Sequence, residues 1–111
     1  MKMDVINVEN GIKKVVLTGS MNVQGSLDLE PQFNNMVKTT DKVIIDLNDV
    51  NFLSSRGMRI LVVTAQALNA KGGKLVLVSP QAAVEKAMKT VGLDTILPIA
   101  PDLSAAIALF R

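Results

Sequence analysis

The sequence predicts a single α/β domain, residues 1–111, built on a mixed but mostly parallel sheet of about four or five strands with about four helices. Short β-branched runs alternate along the chain with longer amphipathic segments, the pattern of strand–helix–strand units. An Asn-Gly pair at residues 10–11 is typical of a tight turn, so residues 5–8 and 13–18 are expected to form a hairpin. The length of 111 residues is that of one domain.

The segment after the hairpin predicts a loop and then one helix. Residues 21–26 are small and polar, so they are expected to form the loop. Proline is disfavoured inside a helix, so Pro31 is expected near a helix start, with Asp28 as the candidate cap. The helix is expected to end at about Lys38.

A buried strand and the helix that follows it form the centre of the chain. Residues 42–47 are apolar and β-branched, and residues 48–51 are expected to form a polar connection after them. The next segment, to about residue 70, carries an apolar stripe at helical spacing: Leu61, Ala65 and Leu68, widened by Ile60 and Val63. Gly72 is expected to end this helix in a left-handed conformation.

The last third of the chain predicts two more strands and two more helices. Residues 74–78 are expected to lie parallel to the central strand and next to it. Ser79 and Pro80 are residue types that begin helices, as cap and first helical residue. Residues 96–99 contain a proline, which favours an edge strand, and Asp102 is expected to cap the final helix.

The composition excludes several kinds of chemistry. The chain has no cysteine and no histidine, so it can form no disulfide, no Ser-His-Asp triad, no Cys-His pair and no histidine metal site. Three phenylalanines and a net charge of +2 argue against nucleic-acid binding. No apolar run approaches the length of a membrane span and no signal peptide is visible, so a cytoplasmic protein is expected.

Residues 54–59, called the serine tip below, connect the central strand to its helix and are the candidate functional segment. Ser54 or Ser55 is expected to cap the helix, which would hold a hydroxyl at the carboxyl end of a parallel strand, where such sheets bind their ligands. Arg56 and Arg59 fall in the first helical turns, where acidic residues are favoured. They are either solvated side chains or groups that meet an anion or an acidic partner.

Four other residues near the serines have more than one interpretation. Gly57 either admits close approach by a partner or packs tightly against a neighbouring element. Met58 is expected in the core rather than in an interface, with room for partial exposure. Asp46 and Asp49 could suggest paired carboxylates, but no second catalytic group accompanies them, so they are expected to be solvated charges.

Three motifs follow one another along the chain: Gly-Ser-Met-Asn at residues 19–22, the central strand with residues 50–58, and residues 72–80 followed by Val-Gly-Leu-Asp at 91–94. In this order and spacing they resemble the STAS domain family, and in particular single-domain bacterial anti-sigma factor antagonists. The second motif resembles the family's phosphorylation loop. The resemblance covers nearly the whole chain and implies the same fold.

The resemblance also implies roles for individual residues. Ser55 matches the serine that a partner kinase phosphorylates, and Gly57 matches the glycine that follows in the family. Ser54 stands where the family has aspartate, and Arg56 where it has serine or threonine. The partner-binding surface implied for this chain is Asn22, Ser54, Ser55, Arg56, Gly57, Met58 and Arg59.

The function implied is partner switching rather than catalysis. The unphosphorylated protein is expected to bind an anti-sigma factor that is a serine/threonine kinase, and phosphorylated Ser55 to end that binding until a phosphatase restores it. The ATP belongs to the kinase, so neither a cofactor nor a metal is expected. Two alternatives are a STAS subunit of a scaffold or transport complex and a small-molecule or nucleotide sensor, although the chain lacks a glycine-rich phosphate loop.

Overall fold

The computed structural model describes all 111 residues. Its five strands form one sheet in the order β1-β2-β3-β4-β5, in which β1 is antiparallel to β2 and every other neighbouring pair is parallel. The strands are β1 (Lys2–Asn7), β2 (Lys13–Met21), β3 (Lys42–Leu53), β4 (Lys74–Val78) and β5 (Ile99–Ala100). The mixed, mostly parallel sheet is confirmed, and so is the parallel pairing of β3 with β4.

Four helices cover the two faces of the sheet unequally: α1 (Val23–Thr39), α2 (Ser55–Ala70), α3 (Ala82–Thr90) and α4 (Leu103–Ala108). Side chains alternate along each strand, so Ile45 and Leu47 join the large core beneath α1, α2 and α3, whereas Ile44 and Val76 face the smaller core beneath α4. The site described below lies at the end of the sheet from which α1 and α2 begin.

The hairpin between β1 and β2 forms around a short 3₁₀ turn, Glu9–Gly11. Asn10 and Gly11 have φ angles of 58° and 75°, the left-handed region that this residue pair tolerates best. The N–H of Val8 donates to the carbonyl of Ile12 at 2.9 Å and closes the turn. The predicted hairpin is confirmed, with a first strand that begins at Lys2.

The polar connection expected at residues 48–51 is wrong, because β3 continues through it. β2 is also longer than predicted and runs on to Met21. The extended parts of β2 and β3 pair in parallel as far as Met21 and Leu53. The pairing satisfies backbone groups and buries Val50 and Leu53, and two register shifts accommodate the irregular segment.

The expected loop at residues 21–26 and the helix start near Pro31 are also wrong, because α1 already begins at Val23. Asn22 is its N-cap, and Pro31 lies in the helix interior on the exposed side. Proline at such a position costs about 3 kcal/mol. The burial of Leu29, Phe33 and Met36 at helical spacing outweighs that cost.

The third helix does not begin at the serine and proline predicted to start it. Ser79 has a left-handed φ of 56°, and the N-cap of α3 is Gln81, which makes no side-chain cap hydrogen bond. The last strand is displaced from residues 96–99 to Ile99–Ala100, still at the sheet edge. Asp102 caps α4 as predicted, accepting from the N–H of Ala105 at 2.8 Å.

The C-terminus of α2 forms a tight connection to β4 at the end of the molecule away from the serine tip. The N–H of Gly72 donates to Asn69 at 3.0 Å and that of Gly73 to Leu68 at 2.8 Å, and Gly72 has the predicted left-handed φ, 79°. Gly73 lies against the backbone of Asp41, where an added β-carbon would be 2.0 Å from the carbonyl oxygen.

Candidate functional site

The serine tip lies at the carboxyl ends of the two central strands. The N–H of Ser54 donates to the carbonyl of Met21 at 2.9 Å, so the residue after β3 is fixed to the last residue of β2. Because α1 and α2 begin directly after these two strands, their N-termini lie side by side at this edge of the sheet. Helix N-termini carry a partial positive charge, so both helices contribute positive charge to this end of the sheet.

Of the two serines expected as candidates for the cap, Ser54 is the one that caps α2. Its Oγ accepts from the N–H of Gly57 at 3.1 Å, and its carbonyl accepts from the N–H of Met58 at 2.9 Å. Ser55 is the first residue of the helix, is exposed, and its hydroxyl makes no hydrogen bond within the protein. The capping and the exposed hydroxyl are therefore divided between two adjacent residues.

A buried serine on α1 joins the two helix N-termini. The Oγ of Ser26, which is fully buried, lies 3.5 Å from the Oγ of Ser54 and donates to the carbonyl of Asn22 at 2.7 Å. Asn22 caps its own helix by accepting from the N–H of Gly25 at 2.8 Å. Sequence reasoning placed residues 21–26 in a loop, so nothing singled out Ser26.

Gly57 packs tightly beneath the serine tip. It is buried, and an added β-carbon would lie 2.9 Å from both Met21 Cγ and Leu53 Cδ1. Of its two sequence interpretations, tight packing is the one that the structure supports. Met58 is half-buried against the edge of the core, so the most exposed side chains of the tip are those of Ser55, Arg56 and Arg59.

The two arginines have different surroundings. Arg56 Nη2 lies 3.8 Å from Glu30 Oε1 of α1, and both side chains are about half exposed. An exposed pair of this kind contributes little to stability, at most about 1 kcal/mol. Arg59 lies one helical turn after Ser55. Together with Glu30, Arg56 and Ile60 it lines a small polar cavity of about 290 Å³.

Exposed apolar side chains flank the serine tip. Val23 and Leu27, one turn apart at the start of α1, are 57% and 42% exposed. Phe52, just before the tip, is 52% exposed and borders an apolar depression between the end of β3 and α3. Large exposed apolar groups around a polar centre are typical of protein-binding surfaces. Sequence reasoning did not include these three residues in the site.

The remaining acidic residues form no further site. Asp46, on β3, is only 17% exposed and pairs with Lys14 at 3.5 Å, so the expectation of a solvated charge is wrong for this residue. No group of three or more acidic side chains comes close enough together to hold a metal ion. None of the helices is both long and apolar enough to cross a membrane.

Because Ser54 caps α2 and Ser55 makes no hydrogen bond, alanine substitutions of the two serines should affect stability differently. Ser54→Ala should lower the free energy of unfolding by about 1 kcal/mol, because the N–H of Gly57 loses its cap. Ser55→Ala should change it by less than about 0.5 kcal/mol, as expected for an exposed side chain without partners. Urea unfolding of both variants measures the difference, and an equal loss in the two would contradict the assignment of the cap.

A comparison with protein families agrees with this fold. The family model of the STAS domain matches residues 5–106, so the chain belongs to the STAS domain family. Its relatives place it among the anti-sigma factor antagonists. BtrV of Bordetella bronchiseptica, which is named as such an antagonist, is 29% identical over all of this chain and 96% of its own length.

Solved structures extend the likeness to the whole fold. An anti-sigma factor antagonist from Mycobacterium paratuberculosis is 27% identical, with a TM-score of 0.87 over 97% of this chain and 92% of that one. The Bacillus cell fate determinant SpoIIAA in its phosphorylated form has a TM-score of 0.72 over 99% of this chain and all of its own. SpoIIAA is only 17% identical, so it shows the common fold alone.

Proposed function

We propose that the protein is an anti-sigma factor antagonist that acts by partner switching through Ser55. Unphosphorylated, it binds an anti-sigma factor that is a serine/threonine kinase, and phosphorylation of Ser55 by that kinase ends the binding. A phosphatase acting on phosphorylated Ser55 restores it. The observation that carries the proposal is an exposed Ser55 hydroxyl with no partner in the protein, fixed in direction by the helix that Ser54 caps.

The local charges allow a phosphate at this position without disturbing the fold. A phosphoserine carries a charge of about −1.5 to −2. The first turn of α2 contains no acidic residue, and the helix N-terminus favours an anion. The phosphate therefore changes the surface that a partner meets, rather than the packing below it, where Gly57 and Met21 are already in close contact.

The arginines modify this switch. Arg59 lies four residues after Ser55, the spacing at which side chains on a helix meet, so it can pair with a phosphate there. Arg56 already has Glu30 as a partner and is less available. Partial neutralisation by Arg59 would weaken the electrostatic effect of phosphorylation on the partner. Arg56, Arg59 and the apolar groups around the tip then form the partner-binding surface with Asn22, Ser54, Ser55 and Met58, and the buried Gly57 supports that surface from below.

The relatives support the switch and its regulatory character. BtrV carries the name of an anti-sigma factor antagonist, and SpoIIAA, with the same fold, has been solved in its phosphorylated form. In this scheme the protein is a binding module and a phosphate acceptor, not an enzyme. It needs no cofactor of its own, because the kinase supplies the ATP, and it acts in the cytoplasm where sigma factors act.

The test is co-expression with the small serine kinases of the same genome, followed by intact mass measurement and mapping of the modified residue. One phosphate per chain is expected, located on Ser55, absent from Ser55→Ala and retained in Ser54→Ala. A chain that binds a kinase but is never phosphorylated would favour a scaffold or transport subunit instead. Phosphate on another residue, or no binding to any such kinase, would refute the proposal.

A further inference from the structure

The first strand leaves one edge of the sheet open. β1 pairs with β2 on one side only, and no other element pairs with its outer edge. Val5 and Ile6, on opposite faces of this strand, are 50% and 48% exposed. An exposed edge strand with apolar side chains is a template for pairing with another strand.

The charges on β1 are complementary to a second copy of the same strand. Lys2 and Asp4 project from the same face, are 73% and 53% exposed, and pair with each other at 3.6 Å within the single chain. In an antiparallel pair of two β1 strands related by a twofold axis at Met3, each Lys2 stands opposite the partner copy's Asp4. Opposite charges that face each other across a sheet stabilise the pair, and like charges destabilise it.

Other registers lose this complementarity. An axis at Asp4 sets the two carboxylates opposite each other, and an axis at Val5 sets each Asp4 against Ile6 of the other copy. The charge pattern therefore selects the axis at Met3.

The surface beside the strand also suits a second copy. A groove of about 480 Å³ runs between β1 and α1, with an apolar floor that includes Met3 and Val5. On the α1 side the exposed lining is polar and uncharged, formed by Gln32, Asn35 and Thr39, and the one charged residue of the groove is Lys13 of β2. The α1 sides of two copies can therefore approach each other without charge repulsion, since Lys13 lies on β2 and not on α1.

We propose that the protein forms a homodimer by antiparallel pairing of β1 with β1, with the twofold axis at Met3. The two sheets become one continuous sheet, and the two strand directions are reversed across the axis. The serine tips then lie at opposite ends of the dimer, so each copy keeps its own tip free.

The absence of cysteine from the chain allows the register to be tested directly. In this dimer the two Met3 positions are directly opposite, about 5 Å apart, which a disulfide can bridge. The two Val5 positions are offset by four residues, roughly 13 Å along the strand. Met3→Cys should therefore give a covalent dimer on oxidation with diamide, and Val5→Cys should not. Cross-linking through Val5→Cys, or through neither variant, would overturn the register.

A second measurement does not depend on cysteine. Sedimentation of the full chain at rising concentration should show a monomer–dimer equilibrium, weakened at least tenfold by Lys2→Glu and by Asp4→Lys, and restored when both changes are combined. Lys86→Glu is the matched control and should have no effect. Lys86 lies on α3, between β4 and β5 in the chain, and these strands are at the side of the sheet away from β1. A chain that stays monomeric at all concentrations, or a double variant that is not restored, would refute the dimer.

Discussion

Ser55→Asp is expected to weaken binding to the anti-sigma kinase at least tenfold, about 1.4 kcal/mol, while the melting temperature changes by only a few degrees. The new carboxylate sits on the exposed first residue of α2, where it opposes an acidic or apolar partner surface. The fold does not depend on Ser55, because Ser54 provides the cap. A negative charge in the first turn of a helix is itself favourable.

Ser55→Asn is the matched control for that experiment. Asparagine has nearly the same size and shape as aspartate but no charge, so it should retain most of the affinity. Isothermal titration calorimetry of wild type and both variants against the same partner separates charge from size. Equal affinity for wild type and Ser55→Asp would contradict an electrostatic switch at this residue.

Gly73→Ala is expected to have the largest effect on stability, a loss of about 3 kcal/mol in the free energy of unfolding and about 10 °C in melting temperature. An added β-carbon would lie 2.0 Å from the carbonyl oxygen of Asp41. That oxygen belongs to the backbone and accepts a hydrogen bond from the N–H of Lys74 at 2.8 Å, so it cannot move aside without breaking the connection.

Gly72→Ala is the matched control in the same connection, because backbone conformation and not a contact limits that position. Gly72 has a positive φ, but an added β-carbon would meet no atom within 4 Å. The expected cost is about 1 kcal/mol, the strain of a left-handed alanine. Urea unfolding of the two variants should therefore differ clearly. Equal losses would mean that the contact with Asp41 is not the cause.

The fold could be predicted from sequence because its determinants are local. The Asn-Gly turn, the buried strands at 42–47 and 74–78 and the glycine after α2 each carry their own signal. The errors occurred where tertiary contacts override local preference. Residues 48–51 look like a connection but pair with the extension of β2, and Pro31 is tolerated because its helix buries three large side chains elsewhere.

The candidate site also has a part that local sequence predicts and a part that depends on tertiary contacts. Ser55 and the arginines were identified from their position at a helix start, but which serine caps the helix depends on backbone geometry that the sequence left open. Ser26 and Glu30 come from a different helix, and their contacts with Ser54 and Arg56 exist only after α1 and α2 pack side by side. No local sequence pattern predicts contacts between side chains of two different helices.

The connection at Gly73 also has a dynamic consequence. At that end the two long helices are held by several bonds, including those from Lys71 to the carbonyls of Val37 and Thr40 and from Lys74 to Asp41. At the other end the side chains of the two helices meet only through the Ser26–Ser54 hydroxyl contact of 3.5 Å and the exposed Arg56–Glu30 ion pair at 3.8 Å. Local separation of the two helices is therefore expected to begin at the serine tip, and amide hydrogens should exchange faster there, where the proposed kinase would reach Ser55, than at the far end.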